Sequence, residues 1–149
     1  MCIVGGLFKQ SGTRYEMSED DKFYLMSCSD LLGKIPSVLE GVAAMHNFFW
    51  DKIAESKYEK AMQKCGNAAK STLSEASIIR APERFKAMHE HLMRGLGYLN
   101  DSYGESLVYL TDRQREHIAK AIELALLGSA ELRDGNRLWE KIEEDTRRG

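Results

Sequence analysis

The sequence has few of the residues that mark membrane-spanning, disulfide-linked or collagen-like proteins. It contains two prolines and three cysteines in 149 residues, and no apolar run approaches the roughly 20 residues that cross a bilayer. Cys2, Cys28 and Cys65 are odd in number and widely spaced, which argues against a disulfide framework and a CxxC metal site. We therefore expect a protein of the reducing cytoplasm that does not enter a membrane.

An excess of charge of one sign is also absent. The chain has 21 lysines and arginines against 23 aspartates and glutamates, a formal net charge of −2. Nucleic-acid binding proteins attract phosphates with a basic surface, and this composition provides none overall. We therefore predict that the chain does not bind nucleic acid.

The motifs of common enzymes are missing as well. There is no phosphate-binding Gly-Lys-Ser/Thr loop, no Gly-x-Ser-x-Gly turn and no dinucleotide-binding glycine motif. Metal sites in helical bundles use Glu-x-x-His or ligands one turn apart, but His89 and His91 diverge by about 200° around a helix. We predict no metal ion, no cofactor and no catalytic residue, while a weakly recognisable enzyme stays open as an alternative.

What the sequence does contain is a long helical periodicity between Pro82 and Leu110. Apolar positions recur there at steps of three and four, which places them on one side of an α-helix. Other helices must cover so long an apolar stripe. This pattern predicts an all-α protein, an antiparallel bundle of about four principal helices. The stripe is formed by Phe85, His89, Leu92, Leu96, Leu99, Tyr103, Ser106 and Leu110.

The start of the bundle is predicted at Ser18, an N-cap residue followed by acidic residues. Residues 1–17 are expected to form a tail and residues 18–149 one domain. Pro36 predicts a kink or short break in the first helix, since proline lacks a backbone donor. Apolar residues on either side of it suggest one long bent element. Its predicted buried positions are Phe23, Leu25 or Met26, Leu31 or Leu32, Ile35, Leu39, Val42, His46, Phe49 and Ile53.

Later boundaries are predicted from turn and cap residues. Gly66-Asn67 favours a helix end, because both residues tolerate the left-handed conformation. Pro82 is expected at the first position of the third major helix. Thr111 and Gln114 have the spacing of a capping box, which would begin the last helix.

A short link at Thr111–Asp112 makes the last two helices antiparallel neighbours. Residues whose numbers sum to about 223 then lie at equal height, which places Gly95 beside Gly128. Glycine within a helix costs about 1 kcal/mol relative to alanine. Two explanations stay open for these glycines, a close approach of the two backbones and simple tolerance on an exposed face.

His89 is the polar residue that stands out within the apolar stripe. The same arithmetic places Asp134 at its height, so we expect a His89–Asp134 hydrogen bond. The structural interpretation, a buried histidine with a local partner, is favoured over a titrating ligand site. If a ligand pocket exists, it is predicted near His89, Tyr103, His46, Trp50 and Asp134.

Aromatic residues are densest at His46-Asn47-Phe48-Phe49-Trp50. Phe48 points away from the predicted stripe and Trp50 flanks it, so either another helix covers them or they form a contact surface. We take Phe48 and Trp50 as interface candidates. The preferred function is non-enzymatic, a cytoplasmic bundle that acts through protein contacts as a homo-oligomer, with a dimer favoured. The alternative is a small-ligand or metal-binding bundle.

Overall fold

The computed structural model describes residues 17–148, and their side chains as far as residue 147. Four long helices follow one another: α1 (Glu19–Phe49), α2 (Glu55–Ile78), α3 (Lys86–Asp112) and α4 (Arg115–Arg148). A single 3-10 turn, Glu83–Phe85, leads into α3, and this part of the chain contains no strand. The predicted all-α bundle is confirmed. The tail predicted for residues 1–17 lies almost wholly outside the described residues, so the division into tail and domain stays a prediction.

Consecutive helices pack against each other in antiparallel pairs. Phe48 stacks on Tyr58 where α1 gives way to α2, and His89 contacts the Ala76 carbonyl where α2 gives way to α3. Two contacts between α1 and α3 join residues with the same separation of 65, Tyr24 with His89 and Val38 with Tyr103. A constant difference means that α1 and α3 run parallel, as alternate helices of an up-and-down bundle must.

The α3–α4 pair has the register that the short link predicted. A Cβ atom added to Gly95 would lie 3.0 Å from the Gly128 carbonyl oxygen, and one added to Gly128 would lie 3.0 Å from the Gly95 oxygen. The Ser102 hydroxyl donates to the Ala121 carbonyl at 2.6 Å, again across positions that sum to 223. The predicted facing of Gly95 and Gly128 is confirmed, and close backbone approach is the reason for both glycines.

Helix α1 begins as predicted but buries a different row in its second half. The Ser18 hydroxyl accepts from the Asp21 N–H and the Asp21 side chain accepts from the Ser18 N–H, a complete capping box. Pro36 lies inside one continuous helix, so the predicted break is wrong, while the kink stays a prediction. The buried row is Val38, Gly41 and Met45, whereas the prediction placed it one residue later. Gly41 belongs to that row because the Tyr103 ring fills the space that its missing side chain leaves.

Four predicted boundaries are wrong. Pro82 takes an extended conformation ahead of the 3-10 turn, so α3 begins at Lys86 rather than at Pro82. Helix α1 ends at Phe49 rather than near Ile53, and Asp51 takes a positive φ of 52° in the link. Helix α2 continues through Gly66-Asn67, because Gly66 faces Tyr103 on α3 instead of ending a helix. Thr111 lies within α3, and the turn to α4 is made by Arg113 in the left-handed conformation with φ 60°.

Two clusters of side chains form the core. The larger lies between α1, α2 and α3 and reaches α4 at Ala121 and Ala125. The smaller closes the end of the bundle where α1 begins and α4 ends, and contains Tyr24, Leu25, Cys28, Phe85, Met88 and Trp139. Within residues 17–148, no helix has both the length and the hydropathy to cross a membrane.

Candidate functional site

His89 lies beside the smaller core cluster, and its ring joins three helices. Its side chain is 5% exposed. The Tyr24 hydroxyl lies 2.9 Å from Nδ1, and the Ala76 carbonyl oxygen lies 2.9 Å from Nε2. A carbonyl oxygen can only accept, so Nε2 carries a hydrogen, and the Tyr24 hydroxyl is the hydrogen-bond partner of Nδ1. Both nitrogens are therefore satisfied without an external ligand.

The predicted partner of His89 is wrong, because that hydrogen bond is not formed. The Asp134 carboxylate instead lies 3.5 Å from the Arg137 guanidinium on the surface of α4. The register predicted between α3 and α4 is correct, but the His89 ring turns toward α1 and α2 rather than toward α4. The sequence offered no register between α1 and α3, so Tyr24 was not among the predicted site residues.

Burial governs the electrostatics around His89. Desolvation raises the pKa of the Tyr24 hydroxyl far above its usual range, and the neighbouring Cys28 contributes in the same direction. The same burial raises the pKa of the Cys28 thiol to about 11. A nucleophilic cysteine needs a lowered pKa and access to solvent, and Cys28 has neither. Burial therefore favours the neutral form of both the Tyr24 hydroxyl and the Cys28 thiol.

Aromatic packing completes this end of the bundle. Tyr24 stacks on Phe85 with ring centroids 5.0 Å apart, and Phe85 contacts the Trp139 ring at 6.1 Å. Beside them, the Arg84 guanidinium donates to the Thr146 hydroxyl at 2.8 Å. Because these side chains come from α1, α3 with its leading 3-10 turn, and α4, they fix how the ends of three elements meet.

A wide groove lies on the surface next to this cluster, between the first turns of α1 and the α2–α3 link. Its volume is about 1070 Å³. Phe23 on one wall is 73% exposed and Ile78 on the other is 85% exposed. The prediction had placed Phe23 in the buried stripe, which is wrong. We call this surface the Phe23 groove, lined by Ser18, Asp20, Phe23, Ser27, Ile78, Ile79, Arg80, Ala81, Pro82, Glu83 and Lys86.

Tyr103 is buried at a different level of the bundle from His89. Its hydroxyl donates to the Val38 carbonyl at 2.5 Å, and desolvation raises its pKa above the usual range. Fourteen residues of helix separate it from His89, about 21 Å along α3. A depression of about 280 Å³ between α2 and α3 reaches Tyr103, but His89 does not line it.

His46 and Trp50 lie near the far end of α1 from His89. Twenty-two helical residues, about 33 Å, separate Tyr24 from His46. The His46 and Trp50 rings lie 6.1 Å apart, and Trp50 is 68% exposed. Phe48 is half-buried, because its ring stacks flat on Tyr58 with centroids 4.1 Å apart. Of the two interface candidates, Trp50 is the one that faces solvent.

The five residues predicted to line a ligand pocket are thus not brought together. His89 lies at one end of the bundle, Tyr103 in the middle, His46 and Trp50 at the other end, and Asp134 on the surface of α4. No group of three or more histidine, cysteine, aspartate or glutamate side chains in the described chain is placed to hold a metal ion.

Comparison of the chain with models of protein families, with characterised proteins and with solved structures gives no match.

Proposed function

We propose that this chain is a non-enzymatic protein of the cytoplasm that acts through protein contacts and associates with itself, as a dimer. The observation that carries the proposal is the Phe23 groove, whose two walls present the exposed side chains of Phe23 and Ile78. Met26, one helical turn beyond Phe23, is also largely exposed and extends the apolar surface. Apolar side chains gathered around a groove are typical of surfaces that bind another protein.

Charge and cysteine chemistry favour the same interpretation. The groove presents acidic and basic side chains in equal number, Asp20 and Glu83 beside Arg80 and Lys86, which suits a protein partner better than a nucleic acid. Cys28 and Cys65 are free thiols, as expected of a protein in a reducing compartment.

The test of self-association is the mass of the purified full-length chain as a function of concentration. Sedimentation velocity and light scattering across a hundredfold range are expected to show the mass rising from one chain to two. Higher salt should change the result only moderately, because the proposed contact combines apolar burial with a few ion pairs. A mass of one chain at every concentration would reject self-association.

The small-ligand or metal-binding alternative has less support. Both nitrogens of His89 have partners within the bundle, and the remaining pocket candidates are dispersed along it. Metal analysis and an absorption spectrum of the freshly purified protein distinguish the two functions. A stoichiometric metal or a visible absorption band would favour the alternative and count against the proposal.

A further inference from the structure

The Phe23 groove combines a protruding aromatic ring and a concavity on one surface. Phe23 projects from the second turn of α1, and the concavity beside it is bounded by Ile78, Ile79 and Pro82. A two-fold dimer requires a surface that is complementary to itself, so that residue i meets residue j and residue j meets residue i. A ring next to a hollow satisfies this condition, because the ring of each copy can enter the hollow of the other.

The charges of the groove are also complementary to themselves. Asp20, Arg80, Glu83 and Lys86 carry two negative and two positive charges, and none makes an ion pair with another residue in the described chain. Four charges of balanced sign can pair with the same four charges of a second copy.

We infer that the Phe23 groove is the surface through which two copies of this chain associate, with a two-fold axis passing through the groove. This inference rests on the proposed self-association and specifies where it occurs. The Phe23 ring of each copy enters the hollow beside Ile78 of the other, and the acidic residues of one groove face the basic residues of the other. Aromatic side chains in such positions commonly supply most of the energy of an interface.

The aromatic end of α1 is a weaker candidate for the same role. Phe48 is already stacked on Tyr58, so the exposed side chains there are His46, Trp50 and part of Phe49. On α4, Ile122 and Leu126 lie one turn apart and form a short exposed row, while Leu127 points about 100° away from Leu126. Trp50 therefore serves as the matched control.

Charge reversal tests the inference without knowledge of which ion pairs form. One variant carries Asp20→Lys with Glu83→Lys, which makes the groove wholly basic, and a second carries Arg80→Glu with Lys86→Glu, which makes it wholly acidic. Each variant alone is expected to sediment as a monomer at concentrations where the native chain is dimeric. An equimolar mixture is expected to restore the dimer as a heterodimer, recognised by native mass spectrometry. Two variants that each dimerise as well as the native chain would overturn the inference.

The apolar contact is tested by Phe23→Ser against Trp50→Ser. We expect Phe23→Ser to raise the dimer dissociation constant at least about tenfold and Trp50→Ser to leave it unchanged. Circular dichroism checks that each variant retains its helices, which substitution of an exposed residue should not disturb. A dimer that is lost in Trp50→Ser and kept in Phe23→Ser would reject the groove while self-association stands. If the full-length chain is monomeric and dimerises only when residues 1–16 are removed, those residues occupy the groove, and the inference is overturned.

Discussion

A single pair of residues, Gly41 and Tyr103, fixes how α1 approaches α3. The Tyr103 ring lies where a side chain at position 41 would lie, and its hydroxyl donates to the Val38 carbonyl one turn earlier. Gly66 on α2 contacts the Cβ of the same tyrosine, at 3.5 Å from where its own Cβ would be. Tyr103 is fully buried.

Replacement of Gly41 by alanine is therefore expected to destabilise the protein. The new methyl group overlaps the Tyr103 ring, and overpacking of a core typically costs about 1–3 kcal/mol. Gly33→Ala in the same helix has nothing within 4 Å and should stabilise by up to about 1 kcal/mol through helix propensity. Urea denaturation of the two variants measures both effects. Equal stabilisation by the two alanines would show that Tyr103 can move aside.

Sequence reasoning identified His89 as a buried histidine but not the atoms that satisfy it. Helical periodicity assigns a residue to a face, and the two-residue link added the register of α3 against α4. Neither relates α1 to α3, because a full helix separates them along the chain. In the second half of α1, the predicted buried row lies one residue later than the observed one. The buried face could not be recognised there because Gly41 has no apolar side chain.

At the scale of helices, the closest contact is the seam between α3 and α4. Gly95 and Gly128 bring the two backbones together, and the Leu99 and Leu132 side chains close over them. The facing of Gly95 and Gly128 could be predicted from the sequence, because a short link restricts the antiparallel register, whereas the close approach of the two backbones could not. The helix end at Gly66-Asn67 could not, because local preference for a turn is weak and tertiary packing outweighs it.

The close packing of α3 against α4 predicts opposite effects on stability for alanine substitutions at two glycines. Gly128→Ala places a methyl group 2.8 Å from Leu99 and 3.0 Å from the Gly95 oxygen, so the helices must separate and stability should fall. Gly97→Ala, on an open face of α3, meets nothing within 4 Å and should raise stability by up to about 1 kcal/mol. Thermal or urea unfolding provides the comparison. Unchanged stability in Gly128→Ala would contradict a tight seam.

Near the α3–α4 turn, His117 joins the two helices through both ring nitrogens. Nδ1 lies 2.7 Å from a Glu105 oxygen and Nε2 lies 3.0 Å from an Asp112 oxygen. The hydrogen bond to Glu105, with the nearby Asp112 charge, raises the pKa of His117 above its usual 6.5. A group whose pKa is raised by folding stabilises the protein below its unfolded pKa, and loses this contribution as pH rises through the folded value.

We therefore expect the free energy of unfolding lost in His117→Gln to be larger near pH 6 than near pH 9. The His117 pKa, followed by NMR, should lie above 6.5 and fall toward it in Glu105→Gln. Glu123→Gln, which removes a carboxylate paired with Lys120 instead, is the matched control and should leave the His117 pKa in place. If the difference in the free energy of unfolding between the native chain and His117→Gln does not change with pH, the proposed ion pairs of His117 with Glu105 and Asp112 do not stabilise the protein.

Glu131, which also joins α3 and α4, stabilises the protein with the opposite dependence on pH. Glu131 accepts from the His91 ring and pairs with Arg94, and these contacts lower its pKa below the usual 4.5. Its contribution to stability is present above pH 4.5 and is lost as pH falls through the folded value. The stability lost in Glu131→Gln should accordingly be greatest near neutral pH and vanish in acid, which urea titrations across the acid range measure.

At the scale of the whole molecule, the two described thiols report on global opening. Cys28 and Cys65 are 1% and 2% exposed, and burial raises the pKa of both. Because the thiolate is the reactive form, a maleimide should label either residue only after the surrounding helices separate. Labelling of each site, followed by mass spectrometry, is expected to accelerate in parallel with urea-induced unfolding. Rapid labelling of Cys28 in buffer would mean that the first turns of α1 open by themselves.

The antiparallel pairing of each helix with the next one along the chain has a kinetic consequence. The links that must close have five residues between α1 and α2, seven between α2 and α3 and two between α3 and α4, so little entropy is lost before packing begins. Helical proteins dominated by such local contacts reach their native state in microseconds to milliseconds. During synthesis, each hairpin can assemble as soon as its second helix leaves the ribosome, before the remainder of the chain exists.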